Sequence, residues 1–221
     1  MISKVNSNKK SHYDRNCVLC PRLASHLAEV RKKFPDYHAR PVPPFGDEKP
    51  DLMIVGLAPG MHGANATGRP FTGDYAGILL YKALHKYGYS NLAEVSAADD
   101  GLKLKNCRIT NAVKCLPPEN KPVGAEVNNC NRFLEKEIES LGSRYVILAL
   151  GGVAHKAVLK ALSLKPKGHE FGHANLHLLA QDKWLIDSYH CSRYNTQTRR
   201  LSEDMFFSIF DKIDELLAIN N

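Results

Sequence analysis

The 221-residue sequence has one tryptophan and no apolar run approaching 18 residues, so nothing in it reads as a membrane span. Its first residues, Met1-Ile2-Ser3-Lys4, lead into a polar, basic segment through Lys10 with no apolar centre. No secretory signal is therefore expected, and the expected location is the cytoplasm. There is no internal repeat. No glycine-rich loop ends in Gly-Lys-Ser/Thr, and none has the Gly-x-Gly-x-x-Gly spacing, which removes the two commonest phosphate cradles. Six cysteines without an export signal argue against a disulfide framework and for metal ligation or buried thiols.

What is present fits one globular α/β domain, since 43% apolar and 24% charged residues suffice for a substantial core. The net charge of +7 keeps polyanions among the partners to consider. Residues 1–11 read as a disordered basic tail and 12–221 as the domain. Leu23, Leu27, Val30 and Phe34 fall on one helical face that opens with Pro21. Arg40-Pro41-Val42-Pro43-Pro44-Phe45-Gly46 is a stiff extended linker leading to the sheet. Apolar runs predict strands at 52–55, 108–113, 145–150 and 184–188, with 176–179 as a weaker hairpin partner of the last. Helical patterns occupy about 75–87, 126–141 and 152–162, and a last helix from Ser202-Glu203 aligns Phe206, Ile209, Phe210, Ile213, Leu216 and Leu217. Alternating strands and helices imply a three-layer α/β/α domain with a mostly parallel sheet.

The stretch from Gly56 to Gly77 is the most informative. A buried strand runs into a loop with six glycines and then a helix, the place where open α/β sheets bind ligands. His62, Asn65, Arg69 and Asp74 are polar residues of this loop. Phe71 and Asp74 together imply a flat apolar ligand beside a carboxylate.

Cys17-Val18-Leu19-Cys20 places two thiols about one helical turn apart. Cys115 follows a strand, and Cys130 lies 15 residues later on a helix. These four residues admit one shared metal site, zinc or iron–sulfur, or four inert thiols. Zinc knuckles favour two close pairs, which weakens zinc. Cys107 reads as a buried core thiol. His169, His173 and His177 recur every four residues, but Gly168 and Gly172 argue against a ligand helix, so they are read as non-metal residues.

Taken together, Cys17-Val18-Leu19-Cys20, the loop from Gly56 to Asp74, Thr110-Asn111-Ala112-Val113-Lys114-Cys115 with Pro117-Pro118 and Cys130, and His190-Cys191-Ser192 resemble the iron–sulfur branch of the uracil-DNA glycosylase superfamily. The loop is most similar to family 5, the type B enzymes, because Leu57 stands where type A enzymes have glutamate. Ala66, Cys191 and Arg199 depart from the commoner arginine, proline and glycine.

The resemblance implies a monofunctional, monomeric DNA repair glycosylase that hydrolyses the bond between uracil and sugar in DNA, with other deaminated bases such as hypoxanthine as further substrates. It implies a four-iron, four-sulfur cluster on Cys17, Cys20, Cys115 and Cys130. Asp74 and His190 would be catalytic. Phe71, Asn111, Ala58, His62, Asn65 and Asn120 would shape the base pocket or hold water, and Arg193, Tyr194 and Arg199 would meet DNA. Two alternatives are a non-catalytic lesion-binding module of the same fold and an iron–sulfur protein acting on free nucleotides. Intact Asp74, Asn111 and His190 disfavour the first; the basic charge and missing P-loop disfavour the second.

Overall fold

The computed structural model describes residues 12–218, so the expected tail at 1–11 lies outside the described residues. The chain runs α1 (Pro21–Lys33), β1 (Phe45–Gly46), β2 (Leu52–Gly56), α2 (Ala64–Thr67), α3 (Tyr75–Lys86), β3 (Cys107–Asn111), a 3₁₀ turn (Pro118–Asn120), α4 (Gly124–Glu139), β4 (Tyr145–Leu150), α5 (Gly152–Ala161), β5 (Leu176–Ala180), β6 (Lys183–Ser188), α6 (Arg193–Gln197) and α7 (Glu203–Ala218).

The six strands form one sheet in the order β1-β3-β2-β4-β6-β5. The central four are parallel, while β1 and β5 are antiparallel edges. β2, β3 and β4 are buried along their whole lengths, as apolar runs covered on both faces must be. Alternate residues of β2 feed different layers: Leu52 and Ile54 pack with α3 and α7, Met53 and Val55 with α4 and α5. A smaller cluster of Leu27, Val30, Ala39 and Leu116 docks α1 against the loop after β3. No helix among the described residues is long and apolar enough to cross a membrane.

The architecture matches the α/β/α expectation, with local differences. The expected linker ends in β1, where Phe45 pairs with Ile109 across the sheet edge. β3 stops at Asn111; Ala112 and Val113 instead donate their N–H groups to the carbonyls of Gly56 and Leu57. Two short helices, α2 and α6, are too brief to show an apolar period. The segment around His169 and His173 is irregular, as its glycines imply, while His177 lies on β5.

Two buried charge clusters brace the functional end of the sheet. Lys114 Nζ donates to Thr110 Oγ1, to Glu137 Oε1 on α4 and, at 3.0 Å, to the carbonyl of Asn111. The Lys114 N–H faces Cys130 Sγ at 3.3 Å. The second cluster joins α5 to the β5–β6 hairpin: Asp187 accepts from His155 Nδ1 at 2.8 Å and from His177 Nε2 at 3.2 Å. The other His155 nitrogen faces the His169 carbonyl at 2.8 Å. Burial opposes charge on His155, but the hydrogen bond and negative charge of Asp187, with the His169 carbonyl, prevail and raise its pKa.

Both Lys114 and Glu137 are nearly inaccessible, so removing one partner leaves the other charge buried and alone. Lys114→Met is expected to cost about 3–5 kcal/mol in urea unfolding. Lys114→Met with Glu137→Leu should lose distinctly less. Equal losses would show that burial of an unpaired charge is not the cause.

Candidate active site

Gly56, Asn111 and Ser188 end β2, β3 and β6 at the same edge of the sheet, and a cavity of 510 Å³ opens above them. This is the carboxyl edge, where parallel sheets leave room for a ligand. Of the expected pocket residues, Phe71, Asp74, Asn111, His190, Ala58 and Asn120 all line it. Arg193 reaches its rim, and Leu57, Ala64, Tyr75 and Ser192 complete parts of the wall.

Phe71 is buried and holds a left-handed backbone conformation, φ 58°, that non-glycine residues avoid. Its ring lies near-parallel to the His190 ring, 26° between planes and 6.0 Å between centroids. Both Phe71 and the Asn111 amide rest on Gly56. A Cβ at Gly56 would come within 2.4 Å of Asn111 Oδ1 and 2.7 Å of the Phe71 ring, so only glycine lets the two side chains meet over the strand end. The Asn111 amide hydrogen-bonds to no described residue and lines the cavity, leaving a donor and an acceptor for a ligand.

Asp74 precedes α3 at its N-cap yet makes no side-chain capping bond. Its carboxylate turns into the loop, where the Ala64 N–H donates to it at 3.0 Å and the Gly60 N–H adds a second bond. A Cβ at Gly63 would fall 2.0 Å from the carboxylate carbon. The loop's glycine content thus follows from side chains that need backbone space. Burial raises the Asp74 pKa, and the two N–H groups only partly oppose it.

His190 follows β6 by two residues and has no hydrogen-bond partner for its ring among the described residues. Burial pushes its pKa down to about 4. It is therefore a neutral imidazole near pH 7, able to donate one N–H without carrying charge.

Two residues expected in the base pocket lie elsewhere. His62 points away from the cavity and bonds Tyr37 Oη through Nδ1 at 2.8 Å, edge-on to Phe34. Asn65 is wholly buried and donates to the Met61 carbonyl at 3.3 Å; it organises the loop's own turn. Arg199, expected to meet DNA, lines a neighbouring cavity with Tyr75. Arg69 is also architectural, gripping Asp100 through both terminal guanidinium nitrogens. Tyr194 stands out from the surface at 70% exposure, and Arg193 lies over the Tyr75 ring at 5.8 Å. Leu57, Ala64, Tyr75 and Ser192 are wall residues that sequence reasoning does not single out for the pocket, although the place of Tyr75 at the start of the helix after Asp74 is a usable signal.

Cys17, Cys20, Cys115 and Cys130 converge on one small, largely apolar space beneath α1 and α4, with Leu23, Val113 and Phe133 around it. Cys107 lies apart in the core and is fully buried. Burial, then the neighbouring Cys130, Cys17 and Cys20, raise the Cys115 pKa. Four thiolates can share this space only with compensating positive charge, a requirement that a metal centre satisfies.

Between the ordinary histidine value near 6.5 and about 4, the unfolded chain takes up a proton that the native protein refuses. His190 therefore lowers stability as pH falls through that window. Its ring signals in nuclear magnetic resonance should stay those of neutral imidazole from pH 8 to 5. Titration near 6.5 would remove the neutral-donor assignment.

A family model described as the uracil DNA glycosylase superfamily matches residues 43–214. A type-5 uracil-DNA glycosylase from Thermus thermophilus is 43% identical, over 92% of this chain and 94% of its own. Another from Mycobacterium leprae is 44% identical over 92% of both chains. A third, from Pyrobaculum aerophilum, is 42% identical over 85% of this chain and 83% of its own. The family match spans the strands, the glycine loop and the histidine segment that together build the cavity, and the chain belongs to the uracil-DNA glycosylase superfamily.

Proposed function

We propose that the protein is a monofunctional DNA glycosylase that excises uracil from DNA by hydrolysing the bond between base and sugar, leaving an abasic site. The observation that carries this reading is the unpartnered Asn111 amide, held beside the Phe71 and His190 rings above the sheet edge. An amide that can donate and accept matches the adjacent carbonyl and N–H of a uracil edge, once the nucleotide is turned out of the helix. Phe71 stacks on the extruded base.

As the bond breaks, the base gains negative charge and the sugar positive charge. Neutral His190 donates its N–H to the developing uracil oxyanion, where a fixed donor gains strength as charge grows. Asp74, fixed by the Gly60 and Ala64 N–H groups, faces the sugar with negative charge and orients the attacking water. Asn120, exposed at the cavity mouth, is a second hold for that water. Arg193 and Tyr194 meet the phosphates and fill the vacated stack.

We assign a four-iron, four-sulfur cluster to Cys17, Cys20, Cys115 and Cys130. Among the described residues, the only three ligand-type groups with donor atoms mutually within 4.8 Å are His155, His177 and Asp187. No three of the four cysteine sulfurs therefore lie mutually within 4.8 Å of one another. When bound, the cluster would supply the positive iron centres that four thiolates need. These residues would tie α1 to the loop after β3 and to α4.

Uracil release from a single-uracil oligonucleotide tests the activity. His190→Ala should slow single-turnover excision about 10²- to 10³-fold, and Asp74→Asn should also slow it. Affinity for DNA bearing a non-cleavable uracil analogue should remain within a few-fold. A 5-fluorouracil leaving group should rescue His190→Ala more than Asp74→Asn, because only the first has lost stabilisation of the departing base. Equal rescue would show the roles to be wrongly divided.

Protein purified anaerobically should be brown, absorb broadly near 400 nm and contain iron. Cys115→Ser or Cys130→Ser should remove the colour while Cys107→Ser keeps it. Stoichiometric zinc without iron would sink the cluster assignment.

A further inference from the structure

Tyr75 has a cavity on each side. One is the base pocket; the other, of 460 Å³, lies between the first turns of α3 and the start of α7. Its apolar wall comprises Tyr75, Ile78 and Leu79, with Leu201 opposite. Tyr75 is 45% and Ile78 65% exposed, whereas the other apolar residues of α3 are buried. Tyr75 and Ile78 thus leave apolar surface open beside the base pocket.

The polar groups of this cavity are almost all engaged. Thr196 Oγ1 donates to the carbonyls of Ser192 and Arg193, and Ser202 Oγ accepts from the Met205 N–H. Lys82 and Glu203 form an ion pair at 2.8 Å. What remains is Arg199, exposed and without a side-chain partner among the described residues. Its φ of 58° lies in the left-handed region that favours glycine. The local backbone thus gains nothing from an arginine here, and the reason for its side chain lies outside the fold.

We propose that this cavity is a subsite for the nucleotide adjoining the excised one on the same strand, with its base against Tyr75 and Ile78 and its phosphate on Arg199. The proposal rests on the glycosylase reading, since the two cavities meet at the residue directly after Asp74. A strand that lowers one nucleotide into the base pocket passes the mouth of the second cavity. An apolar wall with one free cation suits any nucleobase and its phosphate, because stacking does not discriminate among bases. A duplex must unstack this second nucleotide before it enters. A single strand has far less to give up, so the subsite contributes most on single-stranded DNA.

The test places 2-aminopurine immediately 5′ or 3′ of a non-cleavable uracil nucleotide in single-stranded DNA. Fluorescence at one flank should change when wild-type protein binds, and Ile78→Asp should abolish that change. Ile78 is solvent-exposed, so circular dichroism of this variant should match wild type. Affinity for the single strand should fall about ten-fold, and less for the duplex.

Arg199→Gly should weaken binding and reduce the slope of affinity against salt by about one counterion. It should at the same time raise Tm by about 2–4 °C as backbone strain is relieved. Tighter folding with weaker, less salt-sensitive binding is an outcome that a purely structural arginine would not give. If wild-type protein releases uracil but neither flank responds, or if Ile78→Asp responds as wild type does, the subsite is overturned and the glycosylase reading stands. Failure to release any base overturns both.

Discussion

The Lys114 ammonium is the point on which the functional end of this domain rests. Its three N–H bonds go to Thr110, to the Asn111 carbonyl and to Glu137 on α4, while its backbone N–H faces the Cys130 sulfur. The strand end that carries Asn111, a covering helix and one of the four converging cysteines are thereby referred to one buried charge. A cation with every donor used has no alternative geometry of similar energy, which gives β3 a fixed end. The unpartnered Asn111 amide can be held toward the cavity because its own backbone is pinned from beneath.

The pocket above this anchor separates charge in a consistent way. His190 is stripped of its proton by burial, while Asp74 has the negative end of the site, set at the N-terminus of α3 and supported by backbone N–H groups. His155 on α5, joined to β6 through Asp187, is held in the opposite sense by two acceptors. One domain thus keeps one histidine uncharged and favours charge on another, and the difference lies in what faces the ring nitrogens.

Much of the site was legible in the sequence because its parts lie at strand ends. Asn111 is a lone amide within an expected strand, His190 follows one, and Phe71 and Asp74 sit in a loop too rich in glycine for a simple turn. Sequence order does not tell which side of a loop faces the cavity, so His62 and Asn65 looked equivalent to Ala58, although one packs on Tyr37 and the other turns inward. Ion pairs between distant residues were equally hidden: Lys114 with Glu137, and His155 with Asp187, lie on separate elements that only the packed fold brings together. The short helices α2 and α6 escaped because four or five residues cannot express a helical period.

The two outermost strands have a bearing on how the molecule behaves in a crowded solution. β1 contributes only two residues and follows Pro43-Pro44, so one rim of the sheet has almost no free backbone ladder. The opposite rim, β5, breaks its register between Leu178 and Ala180. A shortened rim and a kinked one both deny an incoming strand a straight row of donors and acceptors. Neither rim of the sheet offers a strand of another molecule a ready place to pair, and the apolar strands between them are covered by the chain's own helices.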